Sequence, residues 1–335
     1  MKKHNLDLVN ISTILYSEDN ALVNLPVCDH YTGRPKYFEK ALQIRAEIGA
    51  CFDITLDLED GAVVGQVNEI ATWAAQSLVD FSARYGNETR KPGVRFHPVQ
   101  DPAFEQELPI VLREGVPTPA YLMLPKPENF DDVKLAVSRI REQCAKACVE
   151  PPPLHVLIET HGALAAVHQI AGLEEVESLS FGIMDFISSH RSAIPKTALN
   201  SPGQFENPLV RRAKLEISAA CHRFGKVPSH NVCTNINDVA IIESDTLRAK
   251  NEFGFTRKWS IHPNQIPVIV KTLSPSPNEI DEACSILLAA QAAQWGPIQH
   301  EGKLHDRASY RYFWTILQKA HLTGHAIPAK AEKLL

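Results

Sequence analysis

The sequence predicts an α/β protein, a (β/α)8 barrel of the TIM type followed by a C-terminal helical arm, and three observations lead to that fold class. Short β-rich runs alternate with helix-length amphipathic segments from about residue 21 to residue 270. The alternation repeats eight times, as a closed parallel barrel requires. No Gly-rich phosphate fingerprint follows the first run, which disfavours the alternative of a doubly wound open sheet.

The individual elements follow from composition and from proline positions. Runs rich in β-branched and aromatic residues indicate strands, and Pro35, Pro102, Pro208 and Pro263 suit the first turn of a helix, where the missing N–H costs nothing. The predicted strands span residues 22–27, 52–58, 94–96, 121–124, 155–158, 179–183, 227–232 and 259–261. The predicted helices span residues 35–48, 67–85, 102–114, 131–146, 163–171, 208–224, 238–253 and 263–272.

A Ser-Pro-Ser-Pro stretch at residues 274–277 ends the barrel pattern. Two further helices are expected near residues 279–294 and 309–320, joined by a segment that contains Gly302 and Asp306. The chain is therefore divided into a barrel domain, residues 1–273, and a helical arm or lid, residues 274–335.

Composition limits the classes of partner. The 335 residues are 44% hydrophobic and 22% charged, with a formal net charge of −5, which argues against nucleic acid and an anionic membrane surface as partners. The seven cysteines include no C-x-x-C pair, and no secretory signal is recognised at the start of the chain. We expect a cytoplasmic protein with reduced thiols.

Two carboxylates follow consecutive predicted strands. Glu159 ends the run Leu154-His-Val-Leu-Ile, and Asp185 follows Ser178-Leu-Ser-Phe-Gly-Ile-Met. If both runs are neighbouring parallel strands, the two carboxylates meet at one edge of the barrel, where a hard divalent cation would relieve their repulsion. Oxygen ligands favour Mg²⁺, with Mn²⁺ as the close alternative, so the pair predicts a metal site.

Further polar residues stand at the other strand ends, where barrel enzymes build their active sites. Asp57 and Glu59 share one face of the second strand and Asp60 lies just beyond it, so these three are expected to orient Arg95 or metal-bound water. Arg95 ends the third strand, and its planar donor fork suits a carboxylate or an enolate oxygen, which predicts a substrate-binding and catalytic role.

Lys126, in Leu-Pro-Lys-Pro, permits a different enzyme, a class I aldolase that forms a Schiff base. That interpretation leaves the acidic cluster unexplained. A third possibility is a non-catalytic barrel subunit of a larger assembly. The sequence contains no G-x-S-x-G, P-loop or G-x-G-x-x-G motif, which removes the commonest hydrolase, nucleotide-hydrolysing and dinucleotide-binding classes.

Six short motifs together resemble the HpcH/HpaI aldolase and citrate lyase family, most closely its citrate lyase β-subunit-like branch, which includes malyl-CoA lyases. They occur in the family's order: Asp57-Leu-Glu-Asp60, Gly93-Val-Arg-Phe96, Leu124-Pro-Lys126, Leu157-Ile-Glu-Thr160, Phe181-Gly-Ile-Met-Asp185 and Ile261-His-Pro-Asn-Gln265. A weaker match, Gly302-Lys-Leu-His-Asp-Arg307, lies in the arm.

The resemblance implies a barrel with Mg²⁺ at Glu159 and Asp185 and with Arg95 as the electrophilic residue. It also implies that Asp306 is a catalytic acid that reaches a neighbouring subunit, and that the protein forms trimers or hexamers. Two features depart from the family pattern. The usual Arg-Ser and Pro-Gly pairs around the first strand are not found at residues 20–28, and His97 replaces the usual Asn.

Together these observations predict a metal-dependent carbon–carbon lyase. Its substrate is expected to be a 3-hydroxy-acid derivative, as a CoA or acyl-carrier thioester or as the free acid, that is cleaved to an oxo-acid or formed by the reverse condensation. Both departures touch the region expected to handle a thioester.

Overall fold

Eight parallel strands close into a barrel in chain order, which confirms the predicted (β/α)8 fold. The computed structural model describes residues 11–16, 23–61 and 65–334. The barrel strands are β1 Cys28–Thr32, β2 Phe52–Asp57, β3 Gly93–Arg95, β4 Leu122–Leu124, β5 Leu154–Ile158, β6 Val176–Phe181, β7 Val227–His230 and β8 Arg257–Ser260.

Helices follow the strands, and local chemistry sets where many of them begin. The side chains of Asp101, Asn129, Asn207 and Asp238 accept hydrogen bonds from first-turn N–H groups. The helices of the described chain are α1 Ile11–Leu15, α2 Pro35–Ile48, α3 Val67–Tyr85, α4 Pro102–Val111, α5 Phe130–Ala147, α6 His161–Ala165, α7 Val167–Ala171, α8 Ile183–Ser188, α9 Gly203–Glu206, α10 Pro208–Arg223, α11 Val239–Phe253, α12 Gln265–Leu273, α13 Pro277–Ala292, α14 Arg307–Leu322 and α15 Ala329–Glu332. A 3₁₀ turn, Lys196–Leu199, precedes α9.

Two apolar regions stabilise the barrel. The larger lies between the strands and the helices that surround them and includes Leu56, Val94, Phe181 and Ile217. The smaller is a layer inside the barrel, formed by Tyr31, Met123, Leu157, Val232 and Trp259.

A polar layer lies nearer the N-terminal ends of the strands. Arg257 contacts Asp53 at 2.8 Å and Asp29 at 3.2 Å, and all three side chains are buried. Asp29 also accepts hydrogen bonds from the hydroxyls of Thr55, at 2.7 Å, and Tyr121, at 2.9 Å. Charges buried this way are tolerated because each is paired and hydrogen-bonded.

This polar layer explains an error in the prediction. The first strand is Cys28–Thr32 and not residues 22–27; residue 22 lies outside the described part of the chain, and residues 23–27 form no strand. Asp29 and His30 made the true strand look exposed, whereas both are buried with polar partners. The first strand therefore ends at Thr32, and Gly33 follows it. The sequence analysis compared residues 20–28 with the family pattern around the first strand, and that was the wrong segment.

Other differences from the predicted elements are local. Strand β6 ends at Phe181, so Asp185 lies in the first turn of α8 and not at the end of a strand. The single helix expected at residues 163–171 is interrupted at Ala166 to give α6 and α7. Pro263 precedes α12, which begins at Gln265.

The chain divides into two compact units, residues 26–273 and a second unit that combines residues 1–25 with residues 274–335. In the second unit, α1, α13, α14 and α15 enclose a separate apolar cluster that includes Leu15, Leu287, Trp314 and Leu317. Helix α13 begins with a capping box formed by Ser276 and Glu279. Residues 295–306, expected only as the segment that joins two helices, contain the antiparallel strands β9 Ile298–His300 and β10 Lys303–His305.

None of the helices in the described chain combines the length and the apolarity that crossing a membrane requires.

Candidate active site

A cavity of about 280 Å³ opens at the C-terminal ends of the barrel strands. Among the described residues, four carboxylates and two arginines form its charged lining: Asp57, Asp60, Glu159, Asp185, Arg34 and Arg95. Most of the predicted site residues are thus brought together. The remaining wall is Tyr31, Thr32, Gly33, Tyr37, Gly61, Gly182, Ile183, Met184, Val232, Trp259 and Ile261.

Glu159 lies directly after β5 and is buried at the base of this cavity. One carboxylate oxygen, Oε1, accepts a hydrogen bond of 2.9 Å from the backbone N–H of Lys126. Burial raises the pKa of Glu159 to about 8, and the charge of Asp185 adds to that increase. The two carboxylates therefore interact electrostatically, as the sequence predicted, although Asp185 comes from a helix.

Gly182 makes room for Glu159. A Cβ atom at position 182 would lie 2.1 Å from Glu159 Oε2, which is too close for any other residue. Gly61 has the same relation to Asp57, whose Oδ2 would lie 2.3 Å from an added Cβ. Gly61 follows Asp60, and Gly182 follows Phe181. Both glycines are part of the site because they let the carboxylates pack against the backbone.

Arg95, at the end of β3, is a buried residue of the cavity wall and is held by Asp57, at the end of β2, and by Glu59, just after it. Its Nε and Nη2 atoms donate to the two oxygens of Asp57, both at 2.6 Å, and Nη1 lies 2.9 Å from Glu59 Oε2. Burial opposes the charge, but Asp57 and then Glu59 raise the pKa of Arg95 well above its usual value. Arg95 is therefore a fixed cation whose remaining N–H groups are available to a ligand.

The carboxylate of Asp57 has little capacity left to accept further hydrogen bonds or to bind a metal. Besides Arg95, it accepts hydrogen bonds from the backbone N–H groups of Glu59, at 3.1 Å, and Gly61, at 2.9 Å. This arrangement suits the predicted role of orienting Arg95 and leaves Asp57 poorly placed to ligate a metal.

Lys126 is an ammonium ion held by two acidic side chains. Its Nζ lies 2.5 Å from Glu59 Oε1 and 3.2 Å from both oxygens of Asp60. Burial opposes the charge, but Glu59 and then Asp60 raise the pKa of Lys126 above its usual value. A Schiff-base lysine must lose its proton to attack a carbonyl, so these contacts disfavour the class I aldolase.

The donor set at Glu159 and Asp185 fits a hard divalent cation. Both donors are carboxylates, and burial followed by the charge of Asp185 raises the pKa of Glu159, which is the situation that a cation relieves. In the described part of the chain, no three His, Cys, Asp or Glu side chains are grouped to enclose a metal. Two carboxylates with open positions are typical of Mg²⁺, which keeps water and substrate oxygens as ligands, and are not typical of a structural zinc site.

Asp306 lies in the other compact unit, where it caps α14. Its side chain accepts hydrogen bonds from the N–H groups of Ala308, at 3.0 Å, and Ser309, at 3.4 Å, and Ser309 completes a capping box. The carboxylate is exposed, so capping does not remove it from contact with a ligand.

Tyr31, Arg34 and Trp259 are among the cavity residues that the sequence analysis missed. Tyr31 was missed because β1 was placed too early in the chain, which left Tyr31 outside the predicted strands. The pairing of His30 with Ser260 in the barrel brings Tyr31 beside Trp259. His97 pairs with Glu107 of α4, through a 2.5 Å contact from Nδ1, and does not line the cavity.

The sequence model of the HpcH/HpaI aldolase/citrate lyase family matches residues 42–263, about two thirds of the chain. This chain belongs to the HpcH/HpaI aldolase/citrate lyase family. The predicted family is confirmed, and with it the predicted class of enzyme, a carbon–carbon lyase.

Three relatives illustrate the relationship. The L-malyl-CoA/β-methylmalyl-CoA lyase of Rhodobacter capsulatus is 26% identical over 306 residues, which cover 86% of this chain and 92% of that enzyme. A crystal structure of a citrate lyase from Burkholderia xenovorans LB400 is 46% identical, with a TM-score of 0.81, and covers 95% of this chain and 98% of its own. The protein CitE from Mycobacterium tuberculosis, solved with magnesium, acetoacetate and coenzyme A, shares the fold at 22% identity and a TM-score of 0.66, over 90% of this chain and all of that one.

Proposed function

We propose that this protein is a Mg²⁺-dependent carbon–carbon lyase. Its substrate is a 3-hydroxyacyl thioester of coenzyme A that also carries a carboxylate on C3, and cleavage gives a 2-oxo acid and the enolate of the smaller thioester. The observation that carries this proposal is the convergence of Glu159, Asp185 and Arg95 on one cavity. The lyases, magnesium and coenzyme A named for the relatives support it. In the reverse direction the same site would perform a condensation.

The metal would be held by Glu159 and Asp185, and Mg²⁺ or Mn²⁺ would supply Lewis-acid polarisation of the oxo-acid oxygens. Arg95 would bind the oxygen on which negative charge develops as the carbon–carbon bond breaks. Asp57 and Glu59 hold its guanidinium in place, so little reorganisation is needed during the reaction. Lys126 neutralises Glu59 and Asp60 at the edge of the site.

The function is tested by supplying malyl-, β-methylmalyl- and citramalyl-CoA, together with the free hydroxy acids, and by following release of a 2-oxo acid. We expect cleavage of a thioester that stops when EDTA is added and resumes with Mg²⁺. Cleavage that persists in EDTA and is trapped by borohydride would instead identify Lys126 as the catalytic group. Absence of cleavage from the whole panel would favour a non-catalytic subunit.

Asp306 is proposed as the acid that protonates the enolate, in the active site of a neighbouring subunit of a trimer or hexamer. Asp306→Ala and Glu159→Gln proteins should each be nearly inactive, whereas mixed oligomers of the two should regain part of the wild-type activity. Asp238→Ala is the matched control, since it removes the carboxylate cap of another helix, α11. The control should lose about 1 kcal/mol of stability and keep its activity. If verified mixed oligomers regain no activity, Asp306 does not act in the neighbouring subunit.

A further inference from the structure

Tyr31 is a buried residue of the cavity wall whose hydroxyl has no assigned role. It lies on β1 and faces the inside of the barrel, where it belongs to the apolar layer with Met123 and Leu157. The residue is 6% exposed. Within the described part of the chain, its hydroxyl oxygen has no hydrogen-bond partner.

The aromatic ring, in contrast, is well held. Its centroid lies 4.6 Å from that of Trp259, and the guanidinium carbon of Arg95 lies 5.2 Å from it. These contacts are an aromatic pair whose ring planes are tilted by 52° and a cation–π interaction, and neither needs the hydroxyl. Phenylalanine would satisfy both of them equally well.

An unsatisfied buried hydroxyl reduces stability, because the group has lost its hydrogen bonds to water without replacement. Tyr121, another buried tyrosine of the barrel, shows the ordinary arrangement: its hydroxyl contacts both Thr55 and Asp29. A partner for Tyr31 is therefore expected from outside the chain, and the residue lies against the cavity that receives the ligand.

We propose that Tyr31 is a further catalytic residue, whose hydroxyl donates a hydrogen bond to the substrate oxygen that becomes negative during cleavage, next to Arg95. This inference rests on the proposed function and adds a residue to it. Arg95 already donates two hydrogen bonds to Asp57 and is paired with Glu59, so a second, neutral donor would increase stabilisation of the oxyanion without adding charge. Burial raises the pKa of Tyr31 well above its usual value, so the hydroxyl keeps its proton throughout the working pH range.

The test compares Tyr31→Phe with Tyr121→Phe in the full-length protein. In Tyr31→Phe we expect kcat to fall about 10- to 100-fold, the size of one hydrogen bond to a charged group, with KM changed less than threefold. Its melting temperature should be equal to or above that of the wild type, because an unsatisfied group has been removed. Tyr121→Phe should behave in the opposite way, with a lower melting temperature and kcat within twofold of the wild type.

Unchanged kcat in a folded Tyr31→Phe protein would overturn the inference and leave the proposed function intact. A lowered melting temperature with unchanged kcat would show that the hydroxyl has a structural partner. Absence of Mg²⁺-dependent cleavage by the wild-type protein would instead overturn the proposed function, and the role of Tyr31 with it.

Discussion

Replacement of Arg95 by lysine should lower kcat by about 10²- to 10³-fold, although the charge is kept. Lysine cannot reproduce the planar fork that contacts both oxygens of Asp57 while other N–H groups remain free for the substrate. Loss of one oxyanion donor typically has an effect of this size. The variant should still gain thermal stability from Mg²⁺, because Glu159 and Asp185 are unchanged.

Arg257→Lys is the matched control for this prediction. Arg257 is equally buried and also pairs with two carboxylates, Asp29 and Asp53, but it lies in the polar layer and does not line the cavity. Both variants should lose stability, of the order of 3 kcal/mol, because buried carboxylates lose part of their pairing. Arg257→Lys should retain a kcat close to that of the wild type. If the two variants lose kcat to the same extent, Arg95 acts only as a counter-ion.

Glu159→Gln should abolish both the activity and the stabilisation by Mg²⁺. A metal that binds only the folded state stabilises it by about 2.7 kcal/mol at a hundredfold excess over Kd, and the melting temperature rises accordingly. Asp185→Asn should weaken the same response. Glu128→Gln, which changes an exposed glutamate near the loop that carries Lys126, should respond to Mg²⁺ as the wild type does.

The raised pKa of Glu159 predicts how metal binding depends on pH. The pKa of Glu159 is raised to about 8 by burial and by Asp185, so this carboxyl is mostly protonated at pH 7 in the metal-free protein. The metal must displace that proton, and apparent Mg²⁺ affinity should therefore rise by up to tenfold per pH unit from about pH 6 and level off above pH 8. Calorimetry in buffers of different ionisation enthalpy should detect about one proton released per metal at pH 7. No proton release would contradict a raised pKa for Glu159.

Much of the architecture could be predicted because strand and helix signals alternate clearly between β2 and α12. The acidic residues Asp57, Glu159 and Asp185 could be found because each follows an apolar run in a position where barrels build active sites. The resemblance of six motifs to one family also predicts that those residues share one site.

The remaining features could not be predicted from apolar patterning. Strand β1 carries Asp29 and His30, which are buried only because Arg257, Thr55 and Ser260 lie opposite them in distant strands. Tyr31 was missed with that strand. Asp185 lies in α8, and Gly182, which precedes that helix, packs against Glu159 in a tertiary contact that leaves no periodic signal in the sequence.

The most direct measurement of the central claim is a crystal of the protein soaked with Mn²⁺ and a 2-oxo acid, with anomalous diffraction recorded at a wavelength where manganese scatters strongly. The account predicts one anomalous peak bound by carboxylate oxygens of both Glu159 and Asp185, with the oxo-acid oxygens completing its coordination. A fully occupied oxo-acid in this cavity without a metal peak at the two carboxylates, or a metal peak elsewhere in an active crystal, would contradict the account.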